Sequence, residues 1–151
     1  MIRDPYPSYF YLTFAAVINF VFAFLHVVVP FNGVTDFIYI GTNKFTLLEM
    51  HRSSLPEPAI LLLALVFAVF GVYCLSGAEM MRRLPLLDPV LWVIGSIYTL
   101  RGLILIPGLL GYTSGDVDSG FQVIISTVAM VVAWFILVGM RKKMIERTVS
   151  N

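Results

Sequence analysis

Arg101 lies deep in an apolar run, Asp88 to Pro107, in which no charge other than the opening aspartate accompanies it. Arginine cannot discharge by losing its proton, and at bilayer depth a guanidinium costs roughly 3 kcal/mol on insertion scales. Such a residue is expected to face a bundle interior or a wet cavity and to meet an anion or strong acceptors there. Three further polar residues fall at similar depth: His26, Gln122 and Ser126, the last two four residues apart and so on one helix face. Tyr98, three residues before Arg101, shares its face. Glu49, His51 and Glu57 in the first loop, or Asp116 and Asp118 in the second, are expected to close over this group. The expected ligand-binding set is therefore Arg101, His26, Tyr98, Gln122, Ser126 and Glu49, with Arg101 gripping the anion and the others as hydrogen-bonding walls. Each has a plainer reading: Arg101 snorkels to a lipid phosphate, His26 is a structural hydrogen-bonder, and Glu49 is a solvated loop acid.

What must position these residues is membrane-spanning helix. Of the 151 residues, 59% are hydrophobic and 13% charged, about half the charge of an ordinary soluble domain. Four stretches, roughly 9–29, 58–77, 89–110 and 122–140, are long and apolar enough to cross a bilayer core of about 30 Å. No acidic residue lies within any of them. The connections are short, so 1–151 reads as a single all-α domain, an integral membrane bundle of four transmembrane helices. The first run is too long for a cleavable signal peptide and lacks a small-residue cleavage site after it, so it reads as the first span.

Seven basic residues (Arg3, Arg82, Arg83, Arg141, Lys142, Lys143 and Arg147) fall on one side of these spans, and only Lys44 and Arg52 on the other. The positive-inside rule then puts both termini in the cytoplasm. The first outer loop is long, and 44–52 within it has the composition of a short surface helix lidding the bundle mouth. Ser8, Asp88 and Ser119 are expected helix caps, and Pro107 should end or kink the third helix. Asn19, near the midplane, should hydrogen-bond another helix. Ala64/Ala68, Gly95/Thr99 and Ala129/Ala133 are small-residue pairs of the kind that let helices approach closely in lipid.

Several chemistries are set aside. The net charge of +1 carries no nucleic-acid signal. One cysteine and two histidines supply neither a disulfide nor a Cys/His metal site, and no phosphate loop, nucleophile elbow or haem pair is present. No cofactor is expected.

The blocks Gly-Val-Tyr-Cys-Leu-Ser-Gly-Ala at 71–78, Arg-Leu-Pro-Leu-Leu at 83–87 and Tyr-Thr-Leu-Arg-Gly-Leu-Ile-Leu-Ile-Pro at 98–107, with Leu25-His26 before them, resemble those of an uncharacterised family of small bacterial four-helix inner-membrane proteins. The Tyr-x-Leu-Arg-Gly-Leu block is the most specific of them. The resemblance implies the four-helix fold in a bacterial inner (plasma) membrane and draws attention to Arg101 and His26, but brings no reaction with it. Relatives of that kind carry an acid in the first loop where this chain has Lys44.

The sequence thus leads to a membrane protein, leaning away from an enzyme, that binds or transports a small anionic or amphipathic ligand such as a lipid in an outer-half polar pocket. The rivals are an integral-membrane enzyme acting on a lipid or isoprenoid, with His26 or Glu49 as base, and an accessory subunit of a larger membrane complex. The expected partners are membrane lipids, a small anionic ligand, and a second copy or other subunits of a membrane complex.

Overall fold

A computed structural model of the chain describes residues 6–32, 56–113 and 117–149. Five helices run through them: α1 (Ser8–Asn32), α2 (Pro56–Gly77), α3 (Leu87–Leu103), α4 (Leu105–Thr113) and α5 (Val117–Val149). With α3 and α4 taken as one interrupted span, four are long and apolar enough to cross a membrane: 8–28, 60–77, 87–111 and 123–149. The chain is a multi-pass helical membrane protein. The expected surface helix at 44–52 lies outside the described residues, and of the stretch 111–115, which reads in sequence as a turn, 111–113 is the end of α4 and the rest lies outside them.

The helices pack in a ring. α1 lies most extensively on α2, and α3 on α5; α1 also meets α5, α4 meets α5, and α3 meets α2. Small residues sit at several of these contacts. Ala64, Gly95, Ala129 and Ala133 are buried, and a β-carbon on Gly95 would come within 2.9 Å of the Leu137 side chain on α5. Gly139 does the same for α1, since a β-carbon there would meet Leu12 Cγ at 2.8 Å. Helices in lipid gain little from apolar burial against one another, so close backbone approach and the dispersion contacts it allows matter more. The core between them holds Ala15, Ala16, Cys74, Leu91, Ile94, Val132 and Ile136, with Leu12 fully buried as well.

Two polar side chains cross this core. Asn19 is fully buried; its Nδ2 donates to Ala15 O at 2.8 Å, and its Oδ1 accepts from Tyr98 Oη at 2.6 Å. The bond joins α1 to α3, which face each other across the ring. Among the described residues no buried side-chain nitrogen or oxygen lacks a partner, as a chain with no water at hand requires.

The largest departure from expectation is the length of α5. Its 33 residues extend to Val149, about 50 Å of helix where a bilayer core needs about 30 Å. The extension ties down the ends of the other helices. Glu146 accepts from Ser8 N at 3.1 Å and from Ser8 Oγ at 2.5 Å. Lys142 donates to Tyr6 O and lies 4.8 Å from the centre of the Tyr11 ring. Lys143, only 4% exposed, donates to Gly77 O and lies 3.2 Å from Glu79 Oε1. Arg147 forks onto Asp88 at 2.8 and 3.4 Å.

Two expected caps are corrected by these contacts. Ser8 is the first residue of α1, inside the helix rather than in the flanking cap position, and its hydroxyl donates to the Glu146 carboxylate. Asp88 sits inside the first turn of α3, behind a left-handed Leu86 (φ 52°) that makes no side-chain cap bond. Its carboxylate faces Arg147 and Arg83 while still favouring the positive end of the helix. The side chain of Ser119 lies outside those described.

Removing one member of the central pair should cost more than removing both. Tyr98→Phe leaves a buried amide oxygen without its donor and should lower stability by about 1 kcal/mol. Asn19→Leu combined with Tyr98→Phe should recover part of that loss. Melting curves of the purified variants in one detergent read this directly. Equal stability of wild type and Tyr98→Phe would show that the bond contributes nothing.

Candidate functional site

The third span is broken beside Arg101. Proline has no N–H to give the carbonyl four residues back, and its ring crowds that carbonyl; for Pro107 the carbonyl is that of Leu103. The chain responds just before it, at Ile104 (φ −65°, ψ −12°). Here the helix tightens: Ile104 N donates to Arg101 O at 3.4 Å, and Gly108 N to Ile104 O at 3.1 Å as α4 resumes. Pro107 therefore interrupts the span three residues upstream without ending it. Arg101 is left in the last turn of α3, where a cation also complements the carbonyl end of the helix.

α5 comes close at this level. A β-carbon on Gly102 would lie 3.0 Å from Met130 Cε and 3.3 Å from Met130 Cα. One turn along α5 from Met130 is Ser126, fully buried, whose Oγ accepts from Arg101 Nη1 at 3.3 Å. The guanidinium is half-buried. The small residue beside the arginine thus sets the approach of α5, and that approach delivers the serine.

Of the six residues singled out from sequence, this pair is brought together. Tyr98 points its hydroxyl to Asn19 in the core. His26, half-buried near the far end of α1, has Nδ1 2.7 Å from Phe22 O, one turn back in its own helix, and its ring centroid lies 5.1 Å from that of Phe67 on α2. Gln122 belongs to α5, but its side chain is not among those described; Glu49 and the rest of the first loop are likewise outside. No group of three or more His, Cys, Asp or Glu side chains converges among the described residues.

What sequence reasoning missed lies at the opposite end of the bundle. Lys142, Lys143 and Arg147 were readable as topology markers, and with Glu146 their spacing of one turn puts 142 with 146 and 143 with 147 on neighbouring strips of one helix. That spacing signals a contact face, yet nothing in it names Tyr6, Ser8, Gly77 and Asp88 as the partners.

No protein-family model, curated protein or solved structure matches this chain.

Pro107→Ala should restore an N–H for the Leu103 carbonyl and join α3 to α4. A proline inside a helix costs about 3 kcal/mol, so the variant should melt higher. The separation of spin labels at 97 and 110 should sharpen to that of one continuous helix. A separation unchanged from wild type would mean that the break has another cause.

Proposed function

We propose that this protein holds a small anionic or amphipathic ligand, most simply the acidic headgroup of a membrane lipid, at Arg101. The observation that carries the reading is a half-buried guanidinium within a membrane-spanning segment, steadied by the buried Ser126 hydroxyl 3.3 Å away. An arginine presents five N–H donors in a planar fork that suits phosphate and carboxylate, and it stays charged in a poorly solvated site. Two features support the choice of site. Ser126 orients the fork by accepting from Arg101 Nη1. Finally, ionisable residues inside spans are costly, so keeping one argues for a use.

In this reading both termini lie in the cytoplasm of a bacterial inner membrane, the side to which seven of the ten basic residues belong. Arg101 then sits in the outer half of the bilayer, on the side of the first loop. Gln122 and Glu49 belong to the same outer end of the chain. Binding, with transport as its extension in a dimer or larger complex, requires no reacting group at the site.

The test is thermal stabilisation of purified protein by an acidic lipid, compared with a zwitterionic lipid of the same chains. Wild type should be stabilised by the acidic lipid, and Arg101→Lys should bind it about tenfold more weakly, because lysine lacks the fork. Equal stabilisation of both proteins would sink the site. Reporter fusions check the orientation: both termini should report cytoplasm and an insertion within 33–55 the outside, and the reverse pattern would move Arg101 to the inner leaflet.

A further inference from the structure

The connection between α2 and α3 is held by hydrogen bonds of its own. α2 closes with Ala78 N donating to Cys74 O at 2.9 Å, Glu79 N to Ser76 O at 3.2 Å and Met80 N to Leu75 O at 3.1 Å. This is the reach-back pattern that usually places glycine in the left-handed position. Glu79 holds that position here, at φ 63°, with its carboxylate against Lys143. The buried Ser76 hydroxyl then knits the following turn, donating to Arg82 O at 3.1 Å and accepting from Leu84 N at 3.0 Å. Thr13 Oγ1 on α1 donates to Met80 Sδ at 3.3 Å.

This tightly held backbone turns its large side chains outward. Met80 is 64% exposed, Leu86 74%, and Met81, Arg82 and Arg83 are exposed as well. The two neighbouring acids are engaged from behind: Glu79 by Lys143, and Asp88 by Arg147, although Arg83 also reaches Asp88 at 3.2 Å. Arg82 is in no ion pair among the described residues. The exposed surface is consequently positive and apolar at once, and it lies immediately beyond the spans ending at Gly77 and beginning at Leu87. That is the depth of lipid headgroups, where apolar side chains dip into the acyl boundary and cations meet phosphates.

We infer that the 79–86 connection is an anionic-lipid docking surface, with Arg82 and Arg83 engaging lipid phosphates and Met80, Met81 and Leu86 inserting beside them. The site is separate from Arg101 and does not depend on it. A backbone already hydrogen-bonded to itself suits this occupant, because its turn need not form on binding. A free phosphate would find the charge but not the apolar half of the surface.

The experiment measures the preference of the purified full chain for phosphatidylglycerol over phosphatidylcholine, by thermal shift in mixed micelles, across a sodium chloride titration. Exposed arginines are screened within a Debye length of about 8 Å at physiological salt, and a half-buried guanidinium is screened less. Wild type should prefer phosphatidylglycerol, and much of that preference should vanish by high salt. Arg82→Gln with Arg83→Gln should lose the salt-sensitive part, roughly tenfold in affinity, whereas Arg101→Lys should keep it. Met80→Ser with Met81→Ser should weaken lipid binding at every salt concentration. The inference is overturned if the double arginine variant keeps the full salt-sensitive preference. It fails equally if wild type shows no such preference, a result that needs no variant to fold, or if inorganic phosphate alone reproduces the lipid's effect. Loss of the salt-sensitive part in Arg101→Lys only would reject this surface and leave the Arg101 site standing.

Discussion

Helices that already lie in lipid gain almost nothing by burying apolar side chains against each other, because the acyl chains are as apolar as leucine. What holds this bundle in one arrangement is therefore where backbones approach closely and where polar groups find partners. The end of α5 shows the second of these. Within two turns it presents Lys142, Lys143, Glu146 and Arg147, which reach Tyr6 just before α1, Gly77 at the end of α2, Ser8 at the start of α1 and Asp88 at the start of α3. One helix extension sets the relative height of the other three. The exposed members of such a set contribute little individually, but the buried Lys143 has more at stake. Its ammonium meets the carbonyl end of α2, where a cation is favoured, and the Glu79 carboxylate 3.2 Å away; without these acceptors a buried charge would be left unpaired.

The same logic governs the middle of the bundle. Asn19 and Tyr98 join two helices that face each other across the ring, at a level lined by Ala15, Ala16, Ala129 and Ala133. Small residues bring the backbones near enough for an asparagine and a tyrosine to span the gap, and the hydrogen bond then fixes which faces point inward. A slip of one residue on either helix would rotate it by about 100° and strand both groups. Specificity here comes from satisfying two polar side chains, and stability from the close contact around them.

Arg101 belongs to a third level, where regular helix gives way. The break at Ile104 and the close approach of Met130 at Gly102 are independent consequences of Pro107 and of a missing β-carbon, and together they bring Ser126 to the guanidinium. Tyr98, one turn below on the same helix, serves the core. Thus one face of α3 changes its task within a single turn, from packing at Tyr98 to holding a charge at Arg101. The 79–86 connection, at the other end of the same helix, adds a second cationic surface that differs in being exposed and salt-screened.

The existence, number and approximate ends of the spans were legible in the sequence, because hydrophobic length is a property of a run of about twenty residues and survives local ambiguity. So was the presence of Arg101 within a span, the interhelical duty of Asn19 and the interruption near Pro107. Which groups meet was a different matter. That Tyr98 turns to Asn19, that His26 bonds within its own helix, that Ser8 serves Glu146 and Asp88 serves Arg147 depends on the rotation and relative height of whole helices. A hydrogen bond tolerates errors of only a few tenths of an ångström around 3 Å, whereas periodicity locates a side chain to a face at best. The chain's own chemistry decided that it would lie in a membrane with a charge inside. Only the packing of α1, α2, α3 and α5 against one another decided what each polar group would touch, since those partners come from positions as far apart in sequence as Ser8 and Glu146.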